Sequence, residues 1–115
     1  MNILITGGGS GLGEAITRVL AKDARNTVYF TYSNSEENAK KIKSDLNNAL
    51  PIKCDFKKES EVMALVNKID DIDIIFHGRN GHLKVHIVLC NKMFLWQVLF
   101  FFNDKRSDLL LPSHC

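Results

Sequence analysis

Most of the chain's glycines lie close to its amino terminus, in the segment Thr6-Gly7-Gly8-Gly9-Ser10-Gly11-Leu12-Gly13. An apolar strand pattern at residues 2–5 precedes this segment, and a helix pattern follows it from Glu14. A turn from strand to helix gathers backbone N–H groups at the positive end of the helix dipole, which favours an anion. Glycines at positions 7, 9, 11 and 13 would leave room for that anion and permit positive φ values. The segment therefore predicts a turn that binds the diphosphate of a dinucleotide.

Strands and helices alternate through the first 76 residues. Short apolar, β-branched patterns predict strands at residues 3–5, 27–31, 50–54 and 72–76, with an amphipathic helix after each of the first three. This alternation predicts an α/β fold with a parallel sheet. Ser33-x-x-Glu36 predicts a capping box at the start of the second helix, with Asn34-x-x-Glu37 as the competing choice. The residues expected to face the core are Leu12, Ala15, Ile16, Val19 and Leu20 in the first helix, Ala39, Ile42 and Leu46 in the second, and Val62, Leu65, Val66 and Ile69 in the third.

The pattern T-G-x-x-x-G-x-G, from Thr6 to Gly13, resembles the opening of the short-chain dehydrogenases/reductases. The resemblance implies a Rossmann-like, doubly wound parallel sheet, of which 115 residues supply about the first βαβαβ half. It also implies that the turn holds a dinucleotide through Thr6, Gly7, Gly9, Ser10, Gly11, Leu12 and Gly13.

The residues after the second strand bear on which dinucleotide is bound. NAD-binding members of this fold carry an acidic residue there, which accepts hydrogen bonds from the ribose and would repel the 2′-phosphate of NADP. This chain has Thr31-Tyr32-Ser33-Asn34-Ser35, without an acid. Ser33 and Asn34 could donate to a 2′-phosphate, so we expect NADP, with NAD as the alternative cofactor. The other interpretation of Ser33 and Asn34 is that they only cap the second helix.

The family has characteristic segments at the ends of the third and fourth strands. Cys54-Asp55-Phe56 resembles the family's adenine-binding segment, which implies cofactor contacts for Asp55 and Phe56; the alternative is that Asp55 folds into its own turn. The family's Asn-Asn-Ala-Gly is expected after the fourth strand, but the chain reads His77-Gly78-Arg79-Asn80. A plain turn over residues 77–81 is predicted instead.

The family transfers hydride to or from a carbonyl or alcohol carbon, with a Tyr-x-x-x-Lys pair that handles the proton. The tyrosines are Tyr29 and Tyr32, and the residues four positions later are Ser33 and Glu36. No catalytic residue is therefore predicted. The chain is expected to be the cofactor-binding portion of a short-chain oxidoreductase, inactive alone. The alternatives are a non-catalytic nucleotide-binding or self-associating module, or a non-functional fragment.

The composition changes near residue 77. Residues 1–76 carry a net charge of −1 and residues 77–115 one of +3, and all four histidines and Trp96 lie in the second part. We interpret residues 1–76 as a Rossmann half-domain and residues 77–115 as divergent sequence, such as a frameshift would produce. Residues 85–102 are mostly apolar without a clear period, and a half-sheet would leave an unpaired edge, so self-association or aggregation is predicted.

Other partners and sites are not expected. A net charge of +2 is too small to indicate a nucleic-acid partner, and Lys92 interrupts the apolar segment, so no membrane helix is predicted. Three scattered cysteines fit a reducing cytoplasm. His82 and His86 would share a helix face but lack a third ligand, so no metal site is predicted.

Overall fold

A computed structural model of the chain describes residues 1–9, 11–69, 71–79 and 82–87. Strands and helices alternate in these residues up to the fourth strand, as the sequence predicts. The elements are β1 (Asn2–Thr6), α1 (Gly11–Ala21), β2 (Thr27–Tyr32), α2 (Glu36–Asp45), β3 (Ala49–Lys53), α3 (Glu59–Lys68), β4 (Ile74–Arg79) and β5 (His82–Ile87).

The strands form one sheet in the order β3-β2-β1-β4-β5, in which β1 to β4 are parallel. Leu4 of the central strand β1 is in register with Tyr29 of β2 on one side and with Ile75 of β4 on the other. This is the Rossmann-like, doubly wound arrangement that the sequence predicts. Because the four parallel strands run the same way, the loops that follow them meet at one edge of the sheet.

Helices cover both faces of the sheet, and each face has its own core. On one face, α1 and α2 pack on β1, β2 and β3 through a cluster that includes Ile3, Phe30 and Ile42. On the other face, α3 packs through a cluster that includes Leu4, Leu65 and Ile75. The predicted core residues of α2 and α3 lie in or against these clusters. Strands that are buried on both faces consist of short runs of apolar residues, and for this reason their positions could be predicted from the sequence.

The predicted core face of α1 is wrong in part. Leu12 and Val19 are 61% and 62% exposed, and Ala15 is also exposed, whereas Thr17 and Ala21 are buried. Thr17 and Ala21 follow Gly13 at intervals of four residues, so the three positions form one small-residue face. That face lets the helix approach the sheet closely. Ile16 and Leu20 still pack against the core as predicted, while Leu12 and Val19 are turned away from it.

The predicted capping box is also wrong. Helix α2 begins at Glu36 with Ser35 at its N-cap, and the Ser35 side chain makes no capping hydrogen bond with the described residues. The helix starts instead through its backbone, where the Ala39 N–H donates to the Ser35 carbonyl at 2.9 Å. Ser33 and Asn34 lie before the helix and are exposed.

The chain beyond residue 76 departs from the predicted turn, because β4 continues through His77, Gly78 and Arg79. Strand β5 then pairs antiparallel with β4 along its outer side, from Ile74 with Ile87 to Arg79 with His82. The outer side of β4 is therefore paired, and β3 and β5 are the two outer strands of the sheet. Of the mostly apolar residues 85–102, the first three belong to β5, and residues 88–102 lie outside the described residues. The helix face assumed for His82 and His86 is likewise replaced by a strand.

Candidate dinucleotide-binding site

The predicted site residues converge at the carboxyl edge of the parallel strands. The glycine turn follows β1, Ser33 and Asn34 follow β2, and Asp55 and Phe56 follow β3. In doubly wound sheets, ligands bind at this edge, where neighbouring connections leave toward opposite faces. Here the connection after β1 leads to α1 on one face, and the neighbouring strand β4 is entered from α3 on the other.

The glycine turn is fastened to β2 by two hydrogen bonds to one residue. The N–H of Gly7 donates to Oγ1 of Thr31 at 3.0 Å, and the N–H of Gly8 donates to the Thr31 carbonyl, also at 3.0 Å. Thr31 is buried. The N–H groups of Gly7 and Gly8 are therefore already hydrogen-bonded within the protein. Backbone N–H groups for a ligand would come from residues farther along the turn.

Two glycines allow helix α1 to sit directly against the turn. A Cβ at Gly13 would overlap the carbonyl group of Gly7, and a Cβ at Gly8 would overlap the Cβ of Phe30. Gly8 would also place a Cβ 2.8 Å from Oγ1 of Thr17, which itself donates to the Gly13 carbonyl at 2.8 Å. The first turn of α1 is thereby brought against the end of β1.

Two other glycines shape the exposed side of the turn. Gly7 and Gly11 have φ values of +69° and +57°, a region that L side chains adopt only with strain. A Cβ at either position would meet no atom within 4 Å. The sequence predicted that glycines would serve both clearance and positive φ. The structure divides these roles, with clearance at Gly8 and Gly13 and positive φ at Gly7 and Gly11.

A polar network braces the turn from α2. The Asn38 Nδ2 donates to the Gly9 carbonyl at 2.5 Å and to Oε1 of Glu14 at 2.6 Å. Arg18 donates to Glu14 at 2.8 Å and to Asp45 of α2 at 3.0 Å. The hydrogen bonds from Arg18 and then Asn38 lower the pKa of Glu14 below its ordinary value, so the carboxylate stays ionised. Its negative charge, close to the glycine turn, is paired with Arg18.

The side chain of Thr6 faces β4. Thr6 and His77 are register partners, and Oγ1 of Thr6 lies 2.8 Å from Nδ1 of His77. Both side chains are buried, and the Phe56 ring meets the His77 ring edge to face at 6.1 Å between centroids. Thr6 and Phe56, both predicted to contact the cofactor, therefore support the edge of the sheet beneath the turn.

Asp55 folds into its own turn, which was the alternative interpretation of this residue. Its Oδ1 accepts a hydrogen bond from the Lys57 N–H at 3.0 Å, and its own N–H donates to Oε1 of Glu61 at 3.0 Å. The loop after β3 is thus a turn closed by the Asp55 side chain, and Glu61 in the first turn of α3 holds it in place. Beside it, burial raises the pKa of the Cys54 thiol to about 11, so this cysteine is unsuited to nucleophilic chemistry at neutral pH.

The remaining predicted residues fall into two groups. Gly11, Leu12, Ser33 and Asn34 are exposed at the edge, while Gly9 is buried under Asn38. Ser10 lies outside the described residues. Sequence reasoning missed Gly8, Thr31 and Asn38. The run of three glycines was a signal for Gly8, but nothing in the sequence distinguishes Asn38 from any polar helix residue.

Among the described residues, no helix combines the length and apolar character needed to cross a membrane. The part of the chain that the structure describes also holds no group of three His, Cys, Asp or Glu side chains placed to bind a metal ion.

A glycine turn between β1 and α1, at the carboxyl edge of a parallel sheet, is the arrangement of nucleotide-binding Rossmann folds. Comparison with known proteins is consistent with this class. The sequence profile of the family described as short chain dehydrogenase matches residues 1–85. The short-chain dehydrogenase/reductase homolog YusS of Bacillus subtilis is 35% identical over 92 residues, which are 73% of this chain and 82% of YusS. The chain belongs to the short-chain dehydrogenase family.

Longer relatives extend beyond the part that matches. Dehydrogenase/reductase SDR family member 1 of Mus musculus is 27% identical over 119 residues, and the alignment covers 96% of this chain but 37% of the mouse protein. The crystal structure of BdcA in complex with NADPH superposes with a TM-score of 0.62 at 25% identity, covering 86% of this chain and 40% of BdcA. This chain therefore spans less than half the length of these two proteins.

Proposed function

We propose that this chain binds a nicotinamide dinucleotide at the carboxyl edge of the sheet, with the diphosphate over the turn between β1 and α1. The observation that carries the proposal is the exposed backbone at Gly11, where positive φ and the absence of a Cβ leave open space. Gly7, whose N–H donates to Thr31, adds a second exposed position without a Cβ. Gly13 brings the amino-terminal end of α1 against this backbone, so the helix dipole favours an anion there. The complex of BdcA with NADPH supports the proposal by similarity.

NADP is the preferred cofactor in this proposal. Ser33 and Asn34 lie just past the end of β2 and are exposed, and helix α2 does not use either side chain as a cap. Their donors are therefore available to a 2′-phosphate, and no carboxylate stands between Thr31 and Ser35 to repel it. NAD is the alternative, since no lysine or arginine lies in the same loop.

Asp55 is the proposed contact to the adenine ring. Its Oδ1 is held by the Lys57 N–H, which fixes the carboxylate in one orientation. The other oxygen could accept from the adenine amino group. Phe56 would act indirectly, through its contact with His77.

The reaction of the family is hydride transfer between the nicotinamide ring and a carbonyl or alcohol carbon. When bound, the cofactor supplies the hydride, and the protein must supply a proton donor. Neither tyrosine of the chain is followed by a lysine four residues later. We propose that residues 1–76 act as a cofactor-binding half-domain, that residues 77–115 are divergent, and that this chain alone does not turn over substrate. We also propose a cytoplasmic location, because the three cysteines are scattered without a C-x-x-C pair.

The second candidate is a non-catalytic module that associates with another chain or with itself. The exposed apolar residues Leu12, Val19 and Val85 favour this alternative.

The test is a titration of the purified full-length chain into NADPH, followed by the fluorescence of the reduced nicotinamide and by calorimetry. Gly11→Asp adds a negative charge at the proposed diphosphate position, and Gly11→Asn is the matched neutral control, because both residues tolerate positive φ. We expect NADPH to bind the natural chain, more weakly the Asn variant, and the Asp variant at least about tenfold more weakly than the Asn variant.

The outcomes separate the alternatives. Equal affinity of the Asp and Asn variants would place the diphosphate elsewhere. No binding of either dinucleotide by the natural chain would exclude the proposed function. Steady NADPH oxidation on addition of a ketone would show that the chain is catalytic without the Tyr-x-x-x-Lys pair.

A further inference from the structure

The carbonyl of Gly9 lies in the middle of the glycine turn and is held by helix α2. It accepts a hydrogen bond of 2.5 Å from Nδ2 of Asn38. A Cβ at Gly9 would lie 3.1 Å from the Cβ of Tyr32 and 3.3 Å from the Cβ of Ser35, closer than ordinary contacts. The turn is therefore packed directly against the connection between β2 and α2, and the Gly9 carbonyl is directed to that side.

The direction of this carbonyl matters for an anion. A carbonyl oxygen carries a partial negative charge and repels the oxygen atoms of a phosphate, whereas backbone N–H groups attract them. The hydrogen bond from Asn38 keeps the Gly9 oxygen on the α2 side of the turn. The exposed side, where Gly11 leaves open space, is thereby kept free of this oxygen.

The amide group of Asn38 has one favourable orientation. Its Nδ2 carries two hydrogens, and it donates both to the Gly9 carbonyl and, at 2.6 Å, to Oε1 of Glu14. Both partners are acceptors, so the reversed amide would bring its own oxygen against two others. The pKa of Glu14 lies below its ordinary value because Arg18 and Asn38 donate to it, so this partner stays ionised at neutral pH. The two donors of Asn38 are thus used within the protein, and it can favour a phosphate only through the turn.

A second contact joins the same two helices without involving the turn. Arg18 donates to Glu14 at 2.8 Å and to Asp45 of α2 at 3.0 Å. Asn38 and Asp45 are seven residues apart, which is two turns, so they lie on the same side of α2. Helices α1 and α2 are therefore joined at two places, and the contact at Asn38 is the one that includes the glycine turn.

We propose that Asn38 is a positioning residue for the diphosphate of the cofactor. It holds the Gly9 carbonyl away from the phosphates, and it keeps the glycine turn in place against the loop that contains Ser33 and Asn34. The turn for the diphosphate and the loop for the adenosine ribose are thus held as one unit. This role rests on the proposed function, because it requires a dinucleotide bound over the turn.

The experiment measures the affinity of the full-length chain for NADPH and for adenosine 2′-monophosphate. The second ligand has the adenine, the ribose and the 2′-phosphate but lacks the diphosphate. Asn38→Ala removes the donor to Gly9, and alanine is the best helix former, so α2 is retained. Asp45→Ala is the matched control, because it removes the other contact between the helices and does not touch the turn.

The two variants should differ in their affinity for NADPH. We expect Asn38→Ala to weaken NADPH about fivefold, as for the loss of one hydrogen bond, and to change the affinity for adenosine 2′-monophosphate by less than about twofold. Asp45→Ala should keep both affinities within about twofold of the natural chain, since a partly exposed ion pair contributes little. Urea denaturation measures the stability of each variant, and the loss of NADPH affinity should not follow the loss of stability.

Three results would overturn the role of Asn38. They are an unchanged NADPH affinity in Asn38→Ala, an equal loss of affinity for the two ligands, and an equal loss of NADPH affinity in Asp45→Ala. The second and third results would show that Asn38 only stabilises the fold. A natural chain that does not bind NADPH would exclude the proposed function itself, and this failure is distinct because it is seen without any substitution.

Discussion

Thr31 holds Gly7 from the neighbouring strand, because its buried Oγ1 accepts a 3.0 Å hydrogen bond from the Gly7 N–H. The carbonyl of Thr31 accepts from Gly8 in the same way. One residue of β2 thus fixes the first two amides of the glycine turn. Thr31 does not hold the later residues of the turn, and in the proposed function it is these residues that contact the cofactor.

Replacing Thr31 by valine should remove the side-chain acceptor of the Gly7 amide, in a hydrogen bond that is only partly buried. We expect the free energy of unfolding to fall by about 1 kcal/mol, the usual net contribution of one hydrogen bond. Thr31→Ser keeps the hydroxyl and should recover most of that hydrogen-bond loss. Urea denaturation of the three proteins measures the difference, and equal stability of the serine and valine variants would show that the hydrogen bond is unimportant.

Gly13→Ala should be among the most damaging single-methyl changes in the chain. Its Cβ would overlap the Gly7 carbonyl, so α1 must move away from the turn, and we expect a loss of about 3 kcal/mol or more. Gly11→Ala is the matched control, because it adds the same methyl group to open space. Its cost should be about 1 kcal/mol, from positive φ alone. Thermal or urea unfolding ranks the two, and a larger loss for Gly11→Ala would contradict the packing described for Gly13.

Glu14→Gln should lower stability at neutral pH but not in acid. The folded-state pKa of Glu14 lies below its ordinary value of 4.5 because Arg18 and Asn38 donate to it. Its ionised form therefore stabilises the fold above the unfolded pKa, and this stabilisation is lost as pH falls through the folded pKa. We expect a gap of about 0.5 kcal/mol at pH 7, as for other i,i+4 ion pairs, and a closing gap below pH 4.5.

Unfolding measured from pH 7 to pH 3 gives this profile. Glu59→Gln removes the same charge at an exposed residue in the first turn of α3 and is the matched control. A gap for Glu14→Gln that stays constant into acid would exclude the charge as its cause.

Ser33→Asp tests the choice between the two dinucleotides. A carboxylate after β2 should repel the 2′-phosphate of NADP and accept hydrogen bonds from the ribose of NAD. We expect NADPH affinity to fall at least about tenfold and NADH affinity to hold or rise, with Ser33→Asn as the uncharged control. Parallel titrations with both cofactors measure the ratio, and an unchanged ratio would move the adenine ribose away from Ser33.

The parallel strands and the glycine turn could both be predicted from the sequence. Strands buried on both faces need apolar runs, and a turn against a helix needs glycine, so both leave direct marks in the chain. The rotation of α1 could not be predicted, because Leu12 and Val19 give a stronger apolar period than Thr17 and Ala21. The space that fixes the rotation is created by Gly8 and Gly13, and it exists only once α1 and the sheet are together.

The same argument applies to the polar contacts of the site. Asn38 reaches Gly9 across 29 residues of sequence, and Thr6 reaches His77 across 71. Neither pairing follows from local composition. Strand β5 was missed because it lies beyond residue 77, where the composition changes and the apolar residues lose a clear period.

The position of β1 has a consequence for how the chain is made. Asn2 and Asp73 exchange hydrogen bonds across 71 residues: the Asn2 N–H donates to Oδ2 of Asp73, and the Asp73 N–H donates to the Asn2 carbonyl. The middle strand is therefore synthesised first but gains its second neighbour only after β4 has left the ribosome. Until then one side of β1 is open on the nascent polypeptide. The β4–β5 hairpin, whose contacts are local, can form quickly and then complete the sheet in one docking step.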